Sequence, residues 1–218
     1  MTNRRFHLRC GEGIKMLDAI AQWVSPRLMR TIHLYSATLM LAAMLFFAFT
    51  GITLNHPDWF SEHQSTLREE VLPEPIQQFL TITDPGQAPP SLVLDWLKKE
   101  QNIHGKKIEI DWDSADSLLL IDIQQPGGFA LVEVDLTSGR VVIEQRLGSW
   151  VQVLNDLHKG RYVGEIWKWF IDISALIMLL FTLSGFWLIL PQKRRRQGLL
   201  GIALAGTLAL VLLYKGSI

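Results

Sequence analysis

The stretch LYSATLMLAAMLFFAFTGITL, Leu34 to Leu54, determines the class of this protein. It is 21 residues long and contains no charged side chain. An α-helix rises about 1.5 Å per residue, so the stretch is long enough to cross the roughly 30 Å hydrocarbon core of a bilayer. It therefore predicts a transmembrane helix over residues 33–55.

Two further apolar stretches follow towards the C-terminal end. Residues 167–190 predict a second transmembrane helix, in which Lys168 and Asp172 are four residues apart and are expected to pair. Residues 199–214 predict a third helix. This stretch is only 16 residues long, so a re-entrant or surface-lying hairpin is the alternative. The expected fold is an α-helical membrane protein with three transmembrane helices.

The distribution of charge predicts the orientation. The chain is 49% hydrophobic, and its 21 basic and 21 acidic residues cancel, so nothing favours a nucleic-acid partner. Residues 1–32 hold six basic and two acidic side chains, residues 191–198 hold four basic ones, and residues 55–168 hold ten basic and eighteen acidic ones. Cytoplasmic flanks of membrane helices are enriched in Lys and Arg. We therefore expect a multi-pass protein of the inner membrane, with a cytoplasmic N-terminus and a periplasmic acidic segment.

The acidic segment, residues 56–148, has the pattern of a small α+β domain that follows a proline-rich connector. A helix is predicted from Ser91, where the residue can act as N-cap. About four short antiparallel strands are predicted between Lys107 and Glu144, because apolar and polar residues alternate there between turns rich in glycine. The expected architecture thus has an extracytoplasmic α+β domain inserted between transmembrane helices 1 and 2.

Two amphipathic segments flank these regions. Residues 1–32 predict a cytoplasmic amphipathic segment, which contains Cys10, the only cysteine. Residues 149–166 predict an interfacial helix whose apolar side chains form one stripe. The residues of that stripe are Trp150, Val153, Leu154 and Leu157.

A short internal repeat links the first two predicted membrane helices. FAFTGI at residues 47–52 matches FTLSGF at residues 181–186, at an offset of 134. Small residues allow membrane helices to approach closely, which is the default interpretation of the Thr-Gly and Ser-Gly pairs. By the same argument, small residues mark a contact face on the third helix and favour a homodimer. These residues are Gly198, Gly201, Ala205 and Ala209.

Five sequence segments in this order resemble the PepSY-associated transmembrane family. They are His33, Phe49–Leu54, Val134–Val142, Leu157–Arg161 and Leu183–Trp187, and they cover about residues 30–191. The resemblance implies a PepSY-like domain outside the membrane. In larger relatives, it implies haem-dependent reduction of ferric siderophores at the inner membrane. This chain departs from those relatives because it has three predicted membrane helices rather than four or more.

The histidines are the candidate ligands for a haem b. Such a haem in a membrane protein usually takes two imidazoles from different helices at similar depth. His33 and His56 are 23 residues apart on one predicted helix, about 35 Å along its axis, so they cannot share an iron. His56 and His158 adjoin different membrane helices on the outer side and are the predicted iron ligands. His33 is a third candidate, which would pair with His7 or with another subunit.

Two functions follow from these patterns. The first is a haem-linked accessory or small reductase that transfers electrons to a periplasmic acceptor such as chelated ferric iron, with an electron-donor partner. The second is a non-enzymatic membrane anchor whose periplasmic domain binds or restrains another envelope protein. Histidines at the ends of membrane helices also occur simply among lipid head groups, and His63 and His104 are expected to be ordinary surface residues. Because no nucleophile constellation, phosphate loop or cysteine metal motif is present, enzymatic activity remains an open question.

Overall fold

The computed structural model describes residues 25–60, 65–82, 90–113 and 117–218. His7, Cys10, His63 and most of the predicted amphipathic segment 1–32 lie outside the described residues. The described chain divides into two compact units. One contains residues 25–43 with Ile173–Ile218, and the other contains Met44–Asp172.

Three long helices are apolar enough to cross a membrane, as the sequence predicted. Helix α1 is Pro26–Asn55, α5 is Glu165–Ile189 and α6 is Arg196–Gly216. Helix α1 begins at a proline, which suits the first helical position, and it ends immediately before His56-Pro57. Helix α6 is continuous over 21 residues, so the chain does not reverse within it and it is long enough to span the bilayer.

A five-stranded antiparallel sheet forms between α1 and α5, with strand order β1-β5-β4-β3-β2. Two helices, α2 at Glu74–Ile82 and α3 at Ser91–Lys99, accompany the sheet. The strands are β1 Thr66–Val71, β2 Lys107–Asp113, β3 Leu118–Gln125, β4 Gly128–Asp135 and β5 Arg140–Leu147. The expected α+β domain is therefore present.

The sequence predicted about four strands and one helix for this domain, and the structure has one more strand, β1, and one more helix, α2. Strand β1 is an edge strand that pairs only with β5, and its side chains are almost all exposed. No apolar alternation is needed on such a strand, so the period-two signal is absent. Helix α2 lies in the segment that the sequence suggested was a proline-rich connector.

One face of the sheet carries the hydrophobic core of this unit. Ile121 pairs with Val132, and Val132 pairs with Ile143, so that directly opposed residues on three strands point to the same face. All three side chains are fully buried, together with Val93 and Leu97 of α3. The opposite face carries the polar residues of the alternation, including Asp122 and Glu133.

Helix α4, Trp150–Lys159, follows β5 within the predicted interfacial segment 149–166, but it is shorter than that segment because Glu165 already begins α5. Its location at the membrane interface stays a prediction. Ser149 and Gln152 form a capping box, in which each side chain bonds the backbone N–H of the other. Gly160 ends the helix in the left-handed region with φ 65°. The carboxylate of Asp156 accepts the backbone N–H of Gly127 at 2.8 Å, which fixes the helix to the turn between β3 and β4.

The ion pair predicted between Lys168 and Asp172 is wrong. The ammonium group of Lys168 bonds the carboxylate of Glu165 instead, at 2.7 Å. Glu165 is in the first turn of α5, where a negative side chain also interacts favourably with the helix dipole. The carboxylate of Asp172 is exposed at this end of the helix.

Candidate histidine sites

The imidazole of His158 is held by a buried threonine. His158 lies in the last turn of α4, and its Nδ1 is 2.5 Å from Oγ1 of Thr50 on α1. The Thr50 hydroxyl also lies 2.6 Å from the carbonyl oxygen of Phe46. A hydroxyl has one proton, and the backbone carbonyl can only accept, so Nδ1–H of His158 donates to Thr50 and Thr50 donates to Phe46. Nε2 is then the unprotonated nitrogen of the ring.

Aromatic rings surround this imidazole. Phe47 meets the His158 ring edge-to-face with centroids 5.0 Å apart, and Phe46 lies 6.5 Å away. The indole of Trp167 packs against Phe46 and donates its Nε1–H to the carbonyl of Leu157 at 2.8 Å. Burial, together with the positive charge of Lys159, lowers the pKa of His158 below its ordinary value. The neutral imidazole, which is the form that binds metals, is therefore favoured at neutral pH.

A second polar contact runs beside the first. The hydroxyl of Thr53 donates to Oδ1 of Asn155 at 2.6 Å. Thr50 and Thr53 are three residues apart on α1, and Asn155 and His158 are three residues apart on α4, so two matched pairs lie along the same contact. Both threonines are buried. These bonds fix the position of α4 and hence of the His158 ring.

His33 is held in a similar way within the other unit. Its Nδ1 lies 3.1 Å from the carbonyl oxygen of Phe181 and 3.2 Å from Oγ of Ser184. Because Ser184 donates its own proton to the Phe181 carbonyl, Nδ1–H of His33 is the donor to both oxygens. The ring also stacks on Phe181, with centroids 4.5 Å apart.

The internal repeat identifies the residues that hold both rings. Phe47 and Thr50 contact His158, whereas Phe181 and Ser184, each 134 positions later, contact His33. We name the shared pattern, Phe-x-x-Thr/Ser-Gly at residues 47–51 and 181–185, the histidine clasp. The repeat is visible in the sequence, but this role is not, because the histidines lie far away in the chain.

The glycines of the repeat differ in their surroundings. A Cβ atom at Gly185 would lie 3.1 Å from Cε1 of His33, so the absence of a side chain makes room for the imidazole. A Cβ atom at Gly51 would meet nothing within 4 Å, and the same holds at Gly198 and Gly201. In the described part of the chain, the close-packing interpretation is therefore supported at Gly185 and not at the other three positions.

His56 and His158 contact different residues. Its ring stacks on Trp59 with centroids 4.1 Å apart and an angle of 5° between the planes. His158 bonds Thr50, which precedes His56 by six residues, about 9 Å along a helix. No direct contact joins the two imidazoles within the described residues, and the iron site of His56 and His158 stays a prediction. The described residues also include no group of three or more metal-binding side chains.

A cleft of about 580 Å³ lies beside α4, within the unit that contains His158. The polar face of the sheet contributes Asp122, Gln124 and Arg146, and α4 contributes Asn155 and Asp156. The guanidinium of Arg146 lies over the ring of Phe129, 5.1 Å from its centroid. The mixture of both charges with aromatic surface suits a polar ligand rather than an apolar one.

Comparison with known proteins gives one protein-family match. A family model described as putative PepSY_TM-like matches residues 24–218. No curated protein and no solved structure matches the chain.

Proposed function

This chain belongs to the putative PepSY_TM-like family, and we propose that it is a haem-binding membrane protein that passes electrons to an acceptor near its sheet domain. His158 and His33 would each bind a separate haem b through Nε2. A bound haem would supply one-electron redox chemistry. The acceptor class that we propose is chelated ferric iron in the periplasm, and the protein would lie in the inner membrane with its N-terminus in the cytoplasm.

The observation that carries this proposal is the contact between an oxygen and Nδ1 of each imidazole, which leaves Nε2 as the ring nitrogen that could bind a metal. Metal-binding histidines almost always donate the other ring N–H to a carbonyl, carboxylate or similar acceptor, which orients the ring. In both clasps Nδ1–H is occupied in this manner, by Thr50 for His158 and by the Phe181 carbonyl for His33. His158 and His33 could therefore each supply one imidazole ligand to a haem.

A second iron ligand could come from another histidine. His56 is the predicted partner of His158, but its ring now stacks on Trp59. A histidine from a second copy of the chain would be an equivalent ligand, and a haem with a single axial imidazole is also common in proteins. The spin state of the iron distinguishes the cases, because two imidazoles give a low-spin spectrum and one gives a high-spin spectrum.

The test is a reduced-minus-oxidised absorption spectrum of the full chain, purified in detergent after haem-replete expression. We expect a Soret band that decreases in His158→Ala and in His33→Ala and is unchanged in His104→Ala, a change at an exposed histidine. Size-exclusion profiles check that each variant is folded. A wild-type protein without the band, or a double variant of His33 and His158 that keeps it, would disprove the proposal.

A second candidate function is a non-enzymatic anchor whose sheet domain binds another envelope protein. Strand β1 is at the edge of the sheet, and the exposed fractions of Leu67 and Val71 are 66% and 69%. Exposed apolar residues on an edge strand are a typical surface for pairing with another chain. A cellular phenotype that survives His158→Ala but is lost in Leu67→Glu would favour this function over electron transfer.

A further inference from the structure

A basic pocket of about 490 Å³ lies where α5 begins. Four cationic side chains line it, and the only acidic residue among the lining residues is Glu165. The cations are Lys106, Lys107, Arg161 and Lys168. We refer to this site as the basic pocket. Its charge differs from that of the sheet domain as a whole, in which acidic residues predominate.

Two of the four cations have a carboxylate partner. Lys107 bonds Glu109 at 2.8 Å, and Lys168 bonds Glu165 at 2.7 Å. The hydrogen bond that Lys107 donates to the Glu109 carboxylate raises the pKa of Lys107, so this ammonium group stays charged over the whole physiological pH range. Even with both pairs counted as neutral, Lys106 and Arg161 leave a surplus of positive charge in the pocket.

The backbone adds to the positive potential. The pocket includes the first turn of α5, a helix of 25 residues. In this turn the N–H groups of Trp167 and Lys168 both bond the carbonyl of Gly164, and the amides of Glu165 and Ile166 precede them. The first amides of a helix have no acceptor within the helix, and they bear the positive end of its dipole. Amides in this arrangement bind phosphate groups in many proteins.

The loop before α5 has an unusual conformation. Tyr162 has a φ of 57°, a left-handed value that is unfavourable for a residue with a bulky side chain. Such strain is concentrated at ligand clamps and other functional sites. Arg161 and Tyr162 both line the basic pocket, so the strained loop contributes one of its four cations.

The position along α5 restricts the ligand. The helix is apolar and long enough to cross a membrane, so its first turn lies at the level of the lipid head groups. Trp167 and Trp169 are at this end, where aromatic residues form the interfacial belt of membrane proteins. Basic residues at the level of the head groups attract anionic phospholipids. We propose that the basic pocket binds the phosphate of an anionic phospholipid head group.

Native mass spectrometry of the full chain in detergent tests this proposal. The probes are phosphatidylglycerol and phosphatidylcholine with identical acyl chains. We expect the wild-type protein to retain phosphatidylglycerol in preference to phosphatidylcholine. The double variant Lys106→Gln/Arg161→Gln should retain it roughly 30-fold more weakly, because each basic residue near the surface contributes about a factor of five.

The control removes the same charge elsewhere. Lys98→Gln/Lys99→Gln changes two exposed lysines at the end of α3, and it should bind phosphatidylglycerol like the wild type. Equal losses in both double variants would show only a general effect of charge, and they would overturn the proposal. Arg161→Lys keeps the charge and should recover most of the binding, which separates loss of a ligand group from loss of the fold.

A soluble phosphate is the other source of the same chemistry. Titration with inorganic phosphate at millimolar concentration should leave retention of phosphatidylglycerol unchanged if the acyl chains and the membrane surface contribute. If inorganic phosphate displaces the lipid completely, and the two lipids bind equally, the pocket recognises free phosphate and the lipid assignment is wrong.

Discussion

Nδ1 of His158 and Oγ1 of Thr50 are 2.5 Å apart, and this contact joins the last turn of α4 to the C-terminal part of α1. Thr50 is completely buried, so neither water nor another side chain replaces the bond if it is lost. The hydroxyl also completes a chain from the imidazole through Thr50 to the Phe46 carbonyl. Stability and ligand binding are therefore expected to depend on the same hydroxyl group.

Replacing Thr50 by valine keeps the shape and removes the hydroxyl. The imidazole N–H of His158 then has no acceptor, which should lower the free energy of unfolding by about 1–3 kcal/mol. Thermal unfolding in detergent, followed by circular dichroism, measures the change. Thr38→Val is the matched control, because the Thr38 hydroxyl is exposed and bonds only the carbonyl of Leu34. Equal effects of the two changes would contradict the clasp.

The same variant has a consequence for haem. Residues that orient a metal ligand typically affect metal affinity by 10- to 100-fold. Titration of haem into the apoprotein should therefore give a dissociation constant about 10- to 100-fold higher for Thr50→Val than for the wild type. An unchanged constant, measured on a folded variant, would separate the clasp from haem binding.

The stability of the protein should depend on pH through His158. Its pKa is lowered in the folded state by burial and by Lys159, so the unfolded chain binds a proton more readily. The neutral ring favours folding fully at pH values above the ordinary pKa of about 6.5, and this contribution is lost as the pH falls through the lower, folded pKa. Denaturation between pH 8 and pH 5 should show a shallower decrease for His158→Gln than for the wild type. His104→Gln should follow the wild type.

The two glycines of the repeat should respond differently to alanine. At Gly185 the new methyl group would press on the His33 ring at 3.1 Å, so Gly185→Ala should destabilise the protein and disturb the bond to Phe181. At Gly51 the methyl group meets nothing within 4 Å, and alanine should stabilise the helix by about 0.5–1 kcal/mol. Melting temperatures of the two variants provide the comparison. A stabilised Gly185→Ala would show that the ring is free to move.

The turn between β3 and β4 should also be sensitive to a methyl group. Gly127 has a φ of 78°, and a Cβ atom there would lie 2.5 Å from Cγ2 of Val153 on α4. Gly127→Ala should therefore destabilise the protein by more than the 1–2 kcal/mol of the left-handed conformation alone. It should also displace α4 and so lower haem occupancy at His158. Gly206→Ala, which meets nothing within 4 Å, is the control for both measurements.

Sequence patterns with a local cause were sufficient for most of the fold. The three apolar helices follow from hydropathy, and helix α4 follows from the apolar stripe of Trp150, Val153, Leu154 and Leu157, since these residues lie within the helix itself. Strand β1 could not be predicted, because pairing with the distant strand β5 determines it rather than any pattern of its own.

The histidines of the candidate sites could be predicted from local sequence patterns, but the residues that hold them could not. Imidazoles at the ends of membrane helices identified His33 and His158 as candidates, and the structure gives each a defined set of contacts. Thr50 and Ser184 hold these rings across more than 100 residues of sequence, so no local signal connects them. The stacking of His56 on Trp59 involves two residues close in the chain, but its geometry could not be derived from their spacing.

Helix α6 contributes outer surface rather than core. The apolar stretch of this helix has no buried residue, and within the described residues no side chain of the stretch forms a hydrogen bond or ring contact with His33 or His158. Sequence variation should therefore differ between α6 and the histidine clasp. Exchanges among Leu, Val, Ala and Ile are expected to accumulate in α6 over evolutionary time. Phe47, Thr50, Phe181 and Ser184 should instead be under purifying selection.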